Sequence, residues 1–176
     1  MNYQIIANEE ILKDFIKWLP ELQPNEKYYL SLMARRKYCK DVIKSDKKQV
    51  KRFLAKKSDL FQKIKQLEVE VGAYQFDGET IPQESLALYI TPNPRCLKRA
   101  TKASLKRFAE IICEENYHNI NPHSEVLTCV HQSRGTNHFM DFDFDGVDLL
   151  ETTTKIFEKI NQSAVQILLT RGGFHV

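Results

Sequence analysis

The segment that most constrains the fold is residues 137–146, with the sequence NHFMDFDFDG. Its acids, Asp141, Asp143 and Asp145, alternate with apolar residues. A period of two is typical of a β-strand with one face in a core and the other face carrying the polar side chains. The sequence therefore predicts a strand at about residues 139–143, held by its apolar residues, with a row of carboxylates on its other face.

Carboxylates two residues apart on one strand face repel one another unless a cation lies between them. Oxygen ligands suit hard divalent cations, so the row favours Mg²⁺ or Mn²⁺. The alternative is an acidic strand end that leads into a turn at Asp145 and Gly146 and binds nothing.

A second segment closes the chain, residues 165–176, with the sequence VQILLTRGGFHV. An apolar run precedes Arg171, Gly172 and Gly173, and a second short strand then carries His175. This order predicts a β-hairpin that turns at the glycines. Taken alone, His175 is equally consistent with a histidine of the core, and the glycines with a plain turn.

Together, the Asp-Phe-Asp of residues 141–143 and the Gly-Phe-His-Val of residues 173–176 resemble the archaeo-eukaryotic primase superfamily, the primase-polymerases. That family has Asp-x-Asp on a hydrophobic strand and a histidine on a neighbouring strand after a small-residue turn. The resemblance implies that Asp141 and Asp143 bind the metal and that His175 contacts the triphosphate of the incoming nucleotide. Arg171, with the backbone N–H groups of the two glycines, is then expected to grip the same triphosphate.

The chain departs from the family pattern in two places. Gly173 stands where the family often has serine, and no further carboxylate strand follows His175 before the chain ends at Val176. Asp145 is the residue nearest in sequence that can replace the missing carboxylate. We therefore expect either a portion of a longer primase-polymerase, with a C-terminal continuation that supplies the last element, or one part of a split protein.

Basic residues are segregated along the chain although the net charge is only +3. Residues 35–65 and 95–107 are both strongly basic. Such segregation predicts a polyanion-binding surface, and the alternative is two solvated helix faces. Arg95 follows Pro92-Asn-Pro at the end of a predicted strand, where it can meet a phosphate. The primase-polymerases often have a basic side chain near the nucleotide from this half of the chain. The alternative is a surface arginine with no role.

The four cysteines show neither a CxxC spacing nor the density of a disulfide framework, which favours a reduced, cytoplasmic protein. No apolar run approaches the length of a membrane span. Cys113, His118, His123 and Cys129 have the residue types of a zinc site, but their spacing does not match the paired ligands of a zinc finger.

At 176 residues the chain is expected to form a single α/β (α+β) domain with a mixed sheet flanked by helices. Residues 1–120 are expected to form an N-terminal part with two basic helices, one at about residues 45–67 and one at residues 100–115. Residues 121–176 are expected to form the part that binds metal and nucleotide. Further strands are predicted at residues 28–33, 69–74 and 86–91, with a turn at residues 76–79 and a short helix from Pro122.

The predicted function is nucleotidyl transfer with Mg²⁺ or Mn²⁺: a DNA primase or polymerase that adds NTPs or dNTPs on a single-stranded or primed DNA template. A replicative helicase is a further expected partner. Two alternatives stay open: a nucleic-acid-binding module on a primase-like fold without catalysis, and a phosphoesterase that uses the same acids to degrade DNA.

Overall fold

The computed structural model describes residues 1–40, 47–114 and 120–176, which form two compact units, residues 1–138 and residues 139–176. The helices are α1 (Glu9–Trp18), α2 (Leu60–Lys65), α3 (Leu97–Cys113), α4 (Pro122–Gln132) and α5 (Leu149–Phe157). The strands are β1 (Glu26–Arg35), β2 (Lys47–Ala55), β3 (Gln75–Phe76), β4 (Glu79–Thr80), β5 (Leu86–Ile90), β6 (Arg95–Cys96), β7 (Asp143–Asp145), β8 (Leu168–Leu169) and β9 (Gly173–His175). The predicted α+β class is confirmed.

The first unit is built around β1, which pairs antiparallel with β2 on one side and with β5 on the other. The short strand β6 pairs with the beginning of β1. Seven of the ten residues of β1 are buried and the other three are half-buried, so both of its faces are covered. A strand in this position needs mostly apolar or aromatic residues, and five of the six residues of its YYLSLM segment are of these types.

Two apolar clusters cover one side of the sheet and a third lies on the other. The first includes Tyr28 and Leu30 with side chains of α1 and α2, and the second includes Leu32 and Ala34. The third joins Tyr29 to residues of α3 and α4. Tyr28, Leu30, Leu32 and Ala34 alternate with Tyr29 along β1, which is why they face opposite sides.

The predicted basic helix at residues 45–67 is wrong over residues 47–55 and is helical only in its later part. Residues 47–55 form β2, and only α2 is α-helical. Val50 and Phe53 have helical spacing, but the register shifts between Leu32 and Met33 of β1, opposite Val50. Such a bulge adds one residue to the strand, so side chains three apart reach the same face of the sheet. Residues 41–46, which include the predicted start of this helix, lie outside the described residues.

The predicted strand at residues 69–74 is also wrong. It reduces to a single bridge between Asn2 and Glu70, and Gly72 has a φ of 102°, which ends the extended conformation. The turn predicted after it is confirmed. Asp77 and Gly78 both have positive φ, 51° and 84°, between β3 and β4. This is the backbone of a two-residue hairpin turn, for which Asp-Gly is a favoured sequence.

Helices α3 and α4 agree with the prediction to within a few residues. α1 begins after Asn8, whose side chain accepts hydrogen bonds from the N–H groups of Glu10 and Ile11. α4 begins after Asn121 with Pro122 in its first turn. In both cases a short polar side chain satisfies backbone donors that the helix itself cannot.

The second unit is a three-stranded sheet in the order β7-β9-β8 together with α5. Gly146, with a φ of 69°, ends β7, and Asp148 then accepts a hydrogen bond from the N–H of Glu151 at the start of α5. The chain returns through β8 and closes with β9, which lies between the other two strands.

All strand pairs among residues 1–40, 47–114 and 120–176 are antiparallel, so the parallel pairing that a mixed sheet requires is not found there. The grouping of the whole chain as a single domain, divided at residue 120, stays a prediction. In the described part of the chain, no helix is long and apolar enough to cross a membrane.

Candidate active site

The register between β7 and β9 brings the two predicted site segments together. Phe142 and Val176 exchange both backbone hydrogen bonds, each 3.0 Å long. The next pair along, Asp143 and His175, is therefore a non-hydrogen-bonded pair, the kind in which side chains approach most closely. The acid and the histidine share one face of the sheet because they lie directly opposite each other.

The imidazole of His175 contacts two carboxylates. Its Nδ1 lies 3.0 Å from Oδ1 of Asp141, and its Nε2 lies 3.6 Å from Oδ1 of Asp143. An ionised carboxylate only accepts hydrogen bonds, so Nδ1–H donates to Asp141. The two aspartates are 58% and 62% exposed, and the histidine is 30% exposed. Exposed contacts of this kind contribute only about 0–1 kcal/mol even when both groups are charged, so a competing cation or anion can separate them.

A stacked pair of aromatic rings supports this arrangement from the opposite face. The rings of Phe144 and Phe174 lie 5.2 Å apart at 20°, and Phe174 is 2% exposed. The prediction that apolar residues hold the acidic strand in a core is correct for Phe144 only. Met140 and Phe142 are 77% and 47% exposed, and β7 begins at Asp143 rather than near residue 139. Phe174 was missed as a support, although its alternation with His175 marks it as the inward-facing residue of β9.

Gly173 lies too close to β7 to carry a side chain. A Cβ at this position would meet the carbonyl oxygen of Phe144 at 1.9 Å and the Cα of Asp145 at 3.1 Å. Serine, which the primase-polymerases often have here, does not fit this backbone. The close pairing of the two strands therefore requires glycine at position 173.

The expected hairpin between β8 and β9 is present. Thr170 N–H donates to the carbonyl of Gly173 over 2.9 Å, which leaves Arg171 and Gly172 at the turn, both exposed. The hairpin and β7 therefore belong to one sheet. Along the chain, Arg171 precedes Phe174 by three residues and His175 by four. Asp145, the candidate for a third ligand, lies opposite Gly173.

The donors of this site have the right chemistry for a hard cation, since Asp141 and Asp143 offer carboxylate oxygens from one strand. The number of donors is smaller than a two-metal site requires. No group of three or more His, Cys, Asp or Glu side chains that could hold a metal ion occurs among the residues that the structure describes. The imidazole of His175 instead lies between the two carboxylates.

Arg95 lies in the first unit, in β6, and its predicted contact with a nucleotide stays a prediction. Arg52 belongs to the basic stretch at residues 35–65 that predicted a polyanion-binding surface, whereas Arg134 and His131, also in the first unit, were not among the predicted site residues. Arg134 forms a bridge with Arg95, and the available signal was its place in a Ser-Arg-Gly-Thr turn.

The alternative zinc constellation is dispersed where the structure describes it. Cys113 is exposed at the end of α3, Cys129 is buried in α4, and His123 is exposed in the first turn of α4. His118 lies outside the described residues. All four cysteines are free thiols in the structure.

The chain matches no protein-family model, no curated protein and no solved structure.

Proposed function

We propose that the chain carries the nucleotide- and metal-binding part of a primase-polymerase and adds nucleotides to a strand on a single-stranded or primed DNA template. The observation that carries this proposal is the position of His175 against both Asp141 and Asp143. The resemblance to the primase-polymerases assigns these three residues to one site. The substrates are NTPs or dNTPs, and the protein acts in the cytoplasm.

In this proposal Asp141 and Asp143 hold Mg²⁺ or Mn²⁺. When bound, the ion makes the attacking hydroxyl of the primer more acidic and offsets the charge that develops at the α-phosphate. The aspartates need little rearrangement because both are already oriented by the same imidazole and are more than half exposed.

His175 has two roles in turn. Without nucleotide it donates to Asp141 and lies beside Asp143, which limits the repulsion between the two acids. With a cation held by Asp141 and Asp143, the imidazole of His175 would be free to donate a hydrogen bond to a phosphate oxygen of the nucleotide. Arg171 and the N–H groups of Gly172 and Gly173 complete the grip on the triphosphate from the hairpin turn.

The test is incorporation of labelled nucleotides on a primed and on an unprimed template with Mn²⁺ or Mg²⁺. The parent is expected to extend the strand, and Asp141→Asn is expected to lower the rate at least a hundredfold. Asp77→Asn is the matched control, because Asp77 is exposed in the β3–β4 turn at a positive φ that asparagine also adopts. Equal extension by the parent and Asp141→Asn contradicts the proposal.

A second candidate function is binding of nucleic acid without catalysis. It is favoured by the shortage of metal ligands among the described residues. It predicts DNA binding that falls steeply with salt and is unchanged in Asp141→Asn, together with no incorporation by the parent. A phosphoesterase is distinguished in the same assay, since it shortens the labelled strand.

A further inference from the structure

Two arginines face each other at the edge of the first unit's sheet. Arg95 lies in β6, and Arg134 forms an isolated antiparallel bridge with it. Residues directly opposite in an antiparallel bridge place their side chains on the same face, with Cβ atoms about 5 Å apart. Two like charges are therefore held close together by the backbone.

Arg52 and His131 lie over the same side of this sheet. The ring of His131 lies 5.0 Å from the ring of Tyr29 in β1. Arg52 of β2 is opposite Ser31, two residues beyond Tyr29 and therefore on the same face. Its guanidinium donates to the carbonyl and hydroxyl oxygens of Ser124 over 2.9 and 2.8 Å, and Ser124 and His131 lie two turns apart on one side of α4.

No carboxylate balances these charges among the described residues. Arg52, Arg95 and Arg134 form no salt bridge there, and Nε of Arg95 is buried without a hydrogen-bond partner. The carboxylates of two adjacent elements are engaged elsewhere. Glu26 accepts hydrogen bonds from Thr136, and Glu125 pairs with Arg107.

The basic groups act on one another electrostatically. Burial lowers the pKa of Arg95, and the charge of Arg134 lowers it further. Burial also lowers the pKa of His131, followed by the charges of Arg95 and Arg52. A buried donor and an uncompensated positive potential are the conditions under which an anion binds most strongly.

We propose that Arg95, Arg134, Arg52 and His131 form a binding site for a phosphate oxyanion in the first unit. Guanidinium groups bind such oxygens through paired hydrogen bonds, which a dispersed set of lysines cannot match. The phosphate comes either from a nucleotide or from the backbone of a nucleic-acid strand. This site requires neither a divalent metal nor Asp141, so it stands whether or not the chain is a polymerase.

The first experiment is an NMR titration of the histidine side chains in EDTA-containing buffer. Pyrophosphate is the probe, and sodium chloride of equal ionic strength is the control. Pyrophosphate is expected to shift the His131 signals at sub-millimolar concentration and to raise the pKa of His131, because a bound anion stabilises its charged form. An identical response to chloride overturns the proposal, since it indicates screening alone.

Three variants locate the binding. Arg95→Gln and Arg134→Gln are each expected to weaken pyrophosphate binding at least tenfold, while Arg95→Lys, which keeps the charge, is expected to bind with intermediate affinity. Arg36→Gln is the matched control, because Arg36 is exposed and lies outside the cluster. Thermal unfolding verifies that each variant is folded. Unchanged affinity in the folded Arg95→Gln and Arg134→Gln proteins overturns the proposal.

Two further ligands identify the source of the phosphate. A nucleoside triphosphate and a labelled single-stranded oligonucleotide are compared in the same metal-free buffer. Loss of oligonucleotide affinity alone in Arg95→Gln assigns the site to the nucleic-acid backbone, and loss of triphosphate affinity alone assigns it to a nucleotide. Loss of neither overturns the proposal. These titrations contain no divalent metal, so their outcome does not depend on nucleotide incorporation and is distinguishable from any failure of the polymerase proposal.

Discussion

Asp143 and His175 face each other at a non-hydrogen-bonded position of the β7–β9 ladder, with Nε2 of the histidine 3.6 Å from Oδ1 of the acid. The same ring reaches Asp141, one strand position further along on the same face. The contact is a consequence of backbone register, because a shift of one residue would turn the histidine to the opposite face. The features that fix this register are therefore as important to the site as its polar residues.

Gly173 is the feature whose replacement tests this register most directly. Gly173→Ala is expected to separate β7 from β9, because the added Cβ would lie 1.9 Å from the carbonyl oxygen of Phe144. Overpacking of this kind costs about 1–3 kcal/mol. Amide hydrogen exchange at Phe142 and Val176, which bond to each other, is expected to accelerate at least tenfold.

Thr170→Ala is the control for that measurement. Thr170 is exposed in the same hairpin, and its backbone N–H is the group that bonds to Gly173. Its exchange pattern is expected to resemble that of the parent. Full protection of the Phe142 and Val176 amides in Gly173→Ala would contradict the prediction. It would show that the two strands can move apart without losing their pairing.

Glu26 holds the segment that leads out of α4. Its carboxylate is 6% exposed and accepts hydrogen bonds from the N–H and hydroxyl of Thr136 and from the N–H of Gln23. Burial raises the pKa of Glu26, but these hydrogen bonds outweigh it and hold the pKa below the ordinary value of 4.5. Glu26→Gln is expected to lower the free energy of unfolding at pH 7 by about 1–3 kcal/mol.

The lowered pKa of Glu26 determines how its contribution to stability changes with pH. The unfolded chain binds the Glu26 proton more readily than the folded chain, so the stabilisation is complete above pH 4.5 and is lost as the pH falls through the lowered pKa. Urea unfolding of the parent and Glu26→Gln between pH 7 and pH 3 measures the difference. The difference in unfolding free energy between the parent and Glu26→Gln is expected to become smaller below pH 4.5. A difference that becomes larger there contradicts the lowered pKa of Glu26.

His131 is expected to make the first unit less stable below neutral pH. Its pKa is lowered from the ordinary 6.5 by burial and by the charges of Arg95 and Arg52, so the unfolded state takes up the proton first. The contribution of His131 to folding stability is therefore complete above pH 6.5 and is lost progressively as the pH falls through the lowered pKa. Unfolding free energies in a phosphate-free buffer between pH 8 and pH 5 are expected to have a smaller slope in His131→Gln than in the parent. The change of unfolding free energy with pH is compared rather than its absolute value. Loss of the ring contact with Tyr29 lowers the stability of His131→Gln at every pH and therefore does not affect this slope.

Local patterns predicted the two segments that β7 and β9 bring together better than they predicted the sheet of the first unit. The alternation of Phe and Asp and the Gly-Gly turn each depend on a few adjacent residues, and the antiparallel pairing of β7 with β9 brings them together. The spacing of Val50 and Phe53 led to the wrong prediction of a helix. A bulge in a strand and a turn of a helix both place residues three apart on one side. Nothing within residues 47–55 reveals that β1 provides their pairing partner.

Burial on the acidic segment was overestimated for a related reason. Alternation shows which residues share a face but not whether another element covers that face. Phe144 is covered because Phe174 stacks on it, whereas Met140 and Phe142 remain exposed. The basic cluster around Arg95 was likewise invisible in the sequence, since Arg52, Arg95 and Arg134 are separated by about forty residues each and meet only through strand pairing and the bridge.

The most direct test of the central claim is Mn²⁺ binding followed by electron paramagnetic resonance, in the parent and in Asp141→Asn, Asp143→Asn and Asp77→Asn. The account predicts that the parent and Asp77→Asn bind Mn²⁺ with the same affinity and that each of the other two variants binds at least tenfold more weakly. Mn²⁺ binding that is equal in all four proteins would contradict a metal site at Asp141 and Asp143, and with it the proposed chemistry.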